Sequence, residues 1–201
     1  MRPRTACLLA LLVAAPPAIV QAQAADPAAA QIGRFDDGLL ETMKQGKRLG
    51  PRGRYDKLEP VITRAFDLAA MTRFAVGTSW NGLSTADQAA LVRAFGRMTV
   101  ATYAHNFDGY EGQSFAVDKV ETRGPDKLVR TRLISPGAAP VNLTYRMRAS
   151  GGAWKVIDIY YNGSVSSLLG QRSEYAATLK AGGAAALVKT LNGRADQLLG
   201  S

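Results

Sequence analysis

Val141-Asn142-Leu143-Thr144-Tyr145-Arg146-Met147-Arg148, then Ser150-Gly151-Gly152, then Trp154-Lys155-Val156-Ile157-Asp158-Ile159-Tyr160-Tyr161 is the stretch whose reading decides the fold. In its first part Val141, Leu143, Tyr145 and Met147 alternate with Asn142, Thr144, Arg146 and Arg148. A period of two is the mark of a β-strand with one buried face. Gly151-Gly152 supplies a tight hairpin signal. The second part is apolar at both odd and even positions, which predicts a strand covered on both sides.

Working upstream, Lys127 to Ser135 repeats the pattern, with Val129, Thr131 and Leu133 alternating with Arg130 and Arg132. Ser114 to Thr122 reads as a further strand. With strands at Val141 to Ala149 and Ala153 to Tyr161, the spacing predicts an antiparallel meander with one apolar and one cationic face. Helical patterns flank it on both sides. Pro27 to about Lys47 places Ile32, Phe35, Leu39, Leu40 and Met43 at helical spacing before Gly46, Gly50, Pro51 and Gly53 end it. A second helix is expected from Tyr55 to Ala70 and a short one up to Val76. Thr85 and Gln88 read as a capping box opening a helix to about Phe107, with Leu91, Phe95, Met98, Thr102 and His105 on one stripe. After Asn162-Gly163, helix returns from Leu168 to Leu198, with a stop at Gly182-Gly183. Helices segregated before and after strands predict an α+β fold: a curved antiparallel sheet of four or five strands wrapped by N- and C-terminal helices.

The 201 residues suffice for one domain. Residues 1–24 read as a secretory signal: Arg2 and Arg4 lead an uncharged run of about fifteen residues, short of the roughly twenty that span a bilayer, and Ala22-Gln23-Ala24 gives a small-x-small cleavage pattern. The single domain is then expected over 25–201. Removing Arg2 and Arg4 lowers the formal charge from the +9 of the whole chain to +7, and Cys7 leaves with the leader. Export makes nucleic acid an improbable partner for this basic surface, and no nucleic-acid motif argues for one. Acidic proteins and anionic lipid surfaces remain.

The inventory for catalysis is thin. One Cys and one His exclude a Cys/His zinc cage. His105 lacks an orienting carboxylate at a telling spacing, and its position at a helix C-terminus is a resting place for a lone histidine. No nucleophile elbow, calcium loop or phosphate-cradling glycine motif occurs. No cofactor or metal is implied. Asp158 is the exception, a carboxylate inside an apolar strand that is costly to bury unpaired. It reads either as a structural ion pair with Arg172 (or Arg146) or as a general base in a hydrophobic pocket.

The run Phe66-Asp67-Leu68-Ala69-Ala70-Met71-Thr72-Arg73-Phe74-Ala75-Val76-Gly77, with Trp80 and the Gln88 helix ending at Tyr103-Ala104, resembles the MlaC or toluene-tolerance family. Tyr145-Arg146, Trp154-Lys155-Val156, Asp158, Gly163-Ser164-Val165-Ser166, Arg172 and Glu174-Tyr175 extend the likeness through the second half. Gly-Ser-Val-Ser followed by Gln-Arg-Ser-Glu is similar to the family's hopanoid-associated paralogue, and Tyr160-Tyr161-Asn162 departs from the usual aliphatic or acidic segment. The resemblance implies a cone-shaped fold around a deep apolar cavity and a periplasmic, non-enzymatic carrier of phospholipid or hopanoid. It also implies partners: an inner-membrane ABC lipid transporter complex and an outer-membrane lipoprotein complex. The carrier itself is expected to be a monomer. The expected cavity walls are Phe66, Phe74, Tyr103, Phe107, Val129, Leu133, Leu143, Tyr145, Met147 and Val165, with arginines of the cationic face near a headgroup or an acidic partner. The alternative is a small pocket enzyme, isomerase-like, using Asp158 as base.

Overall fold

The computed structural model describes residues 26–163 and 165–200; the expected signal, residues 1–24, lies outside the described residues. Five strands form one antiparallel meander in chain order: β1 (Ser114–Arg123), β2 (Asp126–Ile134), β3 (Val141–Ser150), β4 (Ala153–Tyr161) and β5 (Val165–Ser166). Tyr145 at the centre of β3 stands between Val129 of β2 and Ile159 of β4. Gly151 and Gly152, with φ of 57° and 79°, supply the two left-handed residues that a two-residue turn needs to match the twist of its strands. Register shifts occur between Val117 and Lys119, and beside Arg146 and Met147, where Ile157 is the extra residue of β4. Such bulges bend and twist a sheet.

α1 (Pro27–Met43) is opened by Pro27 and by the Asp26 carboxylate, which accepts from the Ala28 N–H at 2.8 Å. It buries Ile32, Phe35, Leu39 and Met43. It ends earlier than the glycine pattern suggests, and α2 (Gly46–Ala65) begins two residues after Lys44, kinked at Gly50 just before Pro51. The expected continuation of that helix to Ala70 does not form. Phe66 is extended and bridges Val156, and the Asp67 N–H donates to the Val156 carbonyl at 2.9 Å. Asp67 then caps α3 (Leu68–Val76) by accepting from the Ala70 N–H. A sheet bridge followed by a strong N-cap outcompetes a helical pattern that runs on unbroken in sequence.

α4 (Thr85–Asn106) is capped one residue earlier than expected, by Ser84 rather than Thr85. The Ser84 hydroxyl accepts from the Asp87 N–H at 3.1 Å, while the Gln88 amide turns away and donates to the Trp80 and Leu83 carbonyls. Leu91, Phe95 and Met98 of the expected stripe are buried, Thr102 is half-buried, and His105 is exposed. α5 (Ser167–Leu199) follows β5, and the expected stop at Gly182-Gly183 is a kink within it. Arg97 of α4 holds α5 by bonds to the Asn192 carbonyl and to Asp196. At the other end of α4, buried Arg54 donates to the carbonyls of Ala104 at 2.6 Å and Gly46 at 3.0 Å. These ties fix the C-terminal half of α4 over the sheet.

Candidate functional site

Phe35 of α1 is the centre of an aromatic cluster, with ring centroids 5.1 Å from Phe66, 5.6 Å from Tyr103 and 6.0 Å from Tyr145. Beyond Tyr103 the packing opens. Tyr103 and Phe107 stack 5.6 Å apart at the end of α4. Between them and the inner face of β2, β3 and β4 lies a cavity of about 200 Å³, lined by Thr102, Tyr103, Asn106, Phe107, Leu133, Val141, Leu143, Tyr145, Ile159 and Tyr161. A smaller cavity of about 90 Å³ shares Thr102, Tyr103, Ile159 and Tyr161, and continues along Met71, Phe95, Met98 and Leu168. Gln171 lines this smaller cavity, and its side-chain oxygen is buried without a protein partner.

Of the ten expected wall residues, the larger cavity brings together Tyr103, Phe107, Leu133, Leu143 and Tyr145. Phe66 stands one layer behind, against Phe35 and Tyr103. Val129 and Met147 have the expected inward orientation but are fully buried in closed core. Phe74 is 40% exposed in a separate groove on the other side of the sheet, with the Arg172 guanidinium over its ring. Val165 is exposed on β5, opposite Tyr161. Thr102, Asn106, Val141, Ile159 and Tyr161 complete the wall. Val141, Ile159 and Tyr161 were legible as strand residues, but nothing in the sequence marks where α4 stands off the sheet.

The cavity is apolar in most of its lining yet contains three phenols. None of the hydroxyls of Tyr103, Tyr145 and Tyr161 makes a hydrogen bond to the protein among the described residues. Burial holds Tyr103 and Tyr145 well above the usual phenol range, with smaller contributions from Tyr161 and Asp36 to both and from Tyr103 to Tyr145. Asp36, on α1, is itself a buried carboxyl with Oδ1 unpartnered. Desolvation, with a smaller contribution from the neighbouring Asp37, pushes it up to about 8. At neutral pH all four groups are protonated and uncharged.

The outer face differs in kind. Arg132 makes a two-pronged pair with Asp118 at 2.7 and 2.8 Å, and Arg130 reaches Glu121 at 3.2 Å. Arg146 and Arg148 each bond Asp126 at 2.6 Å. Burial alone would raise the Asp126 carboxyl, but the hydrogen bonds from Arg148 and Arg146 outweigh it and hold it below the usual range. The outer face is cationic as expected, with its arginines pinned by cross-strand carboxylates, and it keeps a net positive charge because Asp126 and Glu121 each serve more than one cation.

Asp158 also lies on this outer side, in the groove with Phe74 and Arg146, and the expected ion pair with Arg172 is replaced by hydrogen bonds. One carboxylate oxygen accepts from the Ile159 N–H at 2.8 Å and the other from the Ser166 hydroxyl at 2.6 Å. The Ser166 oxygen in turn caps α5, accepting from the Leu169 N–H. Both oxygens are engaged, and Asp158 lies in the outer groove rather than in the chamber between α4 and the sheet.

A curved antiparallel sheet wrapped by helices, with an apolar chamber between α4 and the sheet, defines an α+β fold with room for an apolar ligand. The family model of the MlaC protein matches residues 34–193, and the chain belongs to the MlaC family. Among solved structures, the phospholipid-binding protein of Ralstonia solanacearum, in complex with a phospholipid, superimposes with a TM-score of 0.76 at 25% identity, covering 86% of this chain and 99% of that one. No curated protein matches the sequence closely enough to count as a relative.

Proposed function

We propose that this protein is a periplasmic lipid carrier that holds a phospholipid, or a hopanoid, by its apolar part between α4 and the sheet. In this reading it passes the lipid between an outer-membrane lipoprotein complex and an inner-membrane ABC transporter complex. The observation that carries the reading is the chamber itself: Phe107, Leu133, Val141, Leu143 and Ile159 present an apolar wall beside an exposed apolar rim of Val141, Tyr161 and Val165. Isolated exposed apolar residues are common, but a rim of them at a cavity mouth marks a site of exchange. The likeness to a protein that binds phospholipid supports the ligand class. Among the described residues no helix is long and apolar enough to cross a membrane.

The energetics demand such a chamber. Each methylene moved into water costs about 0.8 kcal/mol, so two chains of roughly sixteen carbons cost on the order of 20 kcal/mol to expose. The two cavities share the side chains of Tyr103 and Tyr161 as a partition. Tyr161 is half exposed. A shift of this side chain would make the two cavities continuous, and full seating of two acyl chains requires α4 to move further from the sheet.

Native mass spectrometry of the protein purified from a Gram-negative periplasm tests the reading. A co-purified phospholipid or hopanoid, transferable to acceptor vesicles, is the expected result. A protein that neither retains lipid nor moves it between vesicles would overturn the proposal.

A further inference from the structure

A wall built only for hydrocarbon has no use for phenol hydroxyls. Phenylalanine buries nearly the same apolar area without desolvating an O–H group, and a polar group removed from water without a partner costs free energy. Yet three different elements, α4, β3 and β4, each contribute a tyrosine to one chamber, and none of these hydroxyls bonds to the protein among the described residues. These hydroxyls face the open chamber, where water can meet them, but a lipid that fills the chamber expels that water and leaves each one in need of an acceptor. The missing partners are to be sought on the ligand.

We propose that Tyr103, Tyr145 and Tyr161 donate hydrogen bonds to the ester carbonyls of the bound lipid, so that the cavity selects ester-linked acyl chains over apolar chains of equal length. The inference rests on the carrier reading above and deepens it. An ester carbonyl suits this wall because it is a neutral acceptor with no proton to place. A free carboxylate does not, since no Lys or Arg lines the chamber and its charge would be buried near the unpartnered carboxyl of Asp36. A polycyclic alcohol brings one hydroxyl to three donors and leaves at least one phenol without an acceptor. Diacyl lipids bring two carbonyls side by side. Asp36, which remains a neutral acid at pH 7, lies near enough to Tyr103 and Tyr145 to raise both phenols. Protonated, it adds no negative charge beside the phenols.

The test is a competition between two phosphatidylcholines of identical headgroup and chain length, one ester-linked and one ether-linked, for displacement of a fluorescent phospholipid from the protein. The expected result is an ester preference of about tenfold, the size of one good hydrogen bond. Tyr103→Phe and Tyr145→Phe should each bring the ester-to-ether ratio toward one. Tyr161→Phe, at the half-exposed mouth, gives the same readout at a position where folding is not at stake. Equal affinity of the wild-type protein for both lipids overturns ester recognition and leaves the carrier standing. An ester preference that survives all three substitutions overturns the assignment to these phenols. Binding of neither lipid overturns the carrier reading and this inference together.

Discussion

The two faces of the sheet are written by alternate residues of the same strands, and they differ in what they leave unsatisfied. Outward, Arg130, Arg132, Arg146 and Arg148 are each held by a cross-strand carboxylate, so each guanidinium has a protein partner although the face keeps a net positive charge. Inward, at the end where α4 stands over β2, β3 and β4, Tyr103, Tyr145 and Tyr161 line a chamber with hydroxyls that find no protein partner among the described residues. Residue type alone suggests the opposite, since arginines look like contact groups and tyrosines like core. Partnership decides, because a charge already paired has little to offer a ligand, whereas a donor left open in a low-dielectric wall does.

The hardest blow to this contrast is a charge placed inside. Leu143→Glu, on the chamber wall, should lower phospholipid affinity more than a hundredfold, because the carboxylate must either stay wet or be neutralised where acyl chain belongs. Val165→Glu is the matched rim variant, at a side chain 65% exposed. It should cost less than tenfold in the same vesicle-transfer assay. Unchanged lipid retention in Leu143→Glu would mean that the chamber is not the lipid site.

Asp36 sharpens the inner side through its pH dependence. With its folded-state value pushed up to about 8 against an ordinary 3.8, the folded chain keeps a proton that the unfolded chain releases, so stability falls as pH rises from 4 to 8 and levels off above that. Asp36→Asn should flatten this slope, leaving the variant more stable than the parent at pH 8 by on the order of 5 kcal/mol. Near pH 4 the two should converge. Chemical denaturation at several pH values checks it, and parallel profiles would show that Asp36 ionises freely in the folded protein.

On the outer side the linkage has the reverse sign. Asp126 is held below the usual carboxylate range by Arg148 and Arg146, so its contribution is present above pH 4 and is lost as pH falls through its folded value. Asp126→Ala should cost about 2 kcal/mol at pH 7, less than for a fully buried pair because both guanidinium groups can reach water. It should leave lipid binding unchanged. A loss of binding without a loss of stability would make the two faces less independent than their chemistry suggests.

How much of this was legible in the sequence follows from what a pattern can encode. Alternation along Val141 to Met147 carries the register, and the positive-φ pair Gly151-Gly152 carries the turn, so the meander could be read almost residue by residue. The break at Phe66-Asp67 could not, because the apolar spacing there runs on while the competing bond comes from Val156, ninety residues away in sequence. The same limit applies to the chamber. Val129, Leu143, Tyr145 and Met147 share one face by periodicity, but whether that face meets α1 in closed core or stands open beneath α4 depends on helix positions set by contacts such as Arg54 to Ala104. Phe74 was drawn inward by its apolar character, whereas α3 presents it to the outer groove under Arg172. Asp36 and the three-phenol arrangement carry no local signature at all, since each member lies on a different element.

The smallest effect lies where the two faces join. Ser166 ends the sheet and begins α5, its hydroxyl donating to Asp158 at 2.6 Å while its oxygen accepts from the Leu169 N–H at 3.1 Å. This one side chain caps a helix and satisfies a buried carboxylate. Ser166→Ala should therefore cost about 1 to 2 kcal/mol, the range of a lost N-cap, with no change in the ester-to-ether ratio because the site is outside the chamber. Asp158→Asn should cost more than Ser166→Ala, because the amide has one acceptor oxygen for two donors and its NH2 is set against the Ile159 N–H when that oxygen accepts from Ser166. If instead Asp158→Asn is fully stable but abolishes turnover of a small apolar substrate, Asp158 acts as a base after all and the division between a closed outer face and an open inner one fails at this residue.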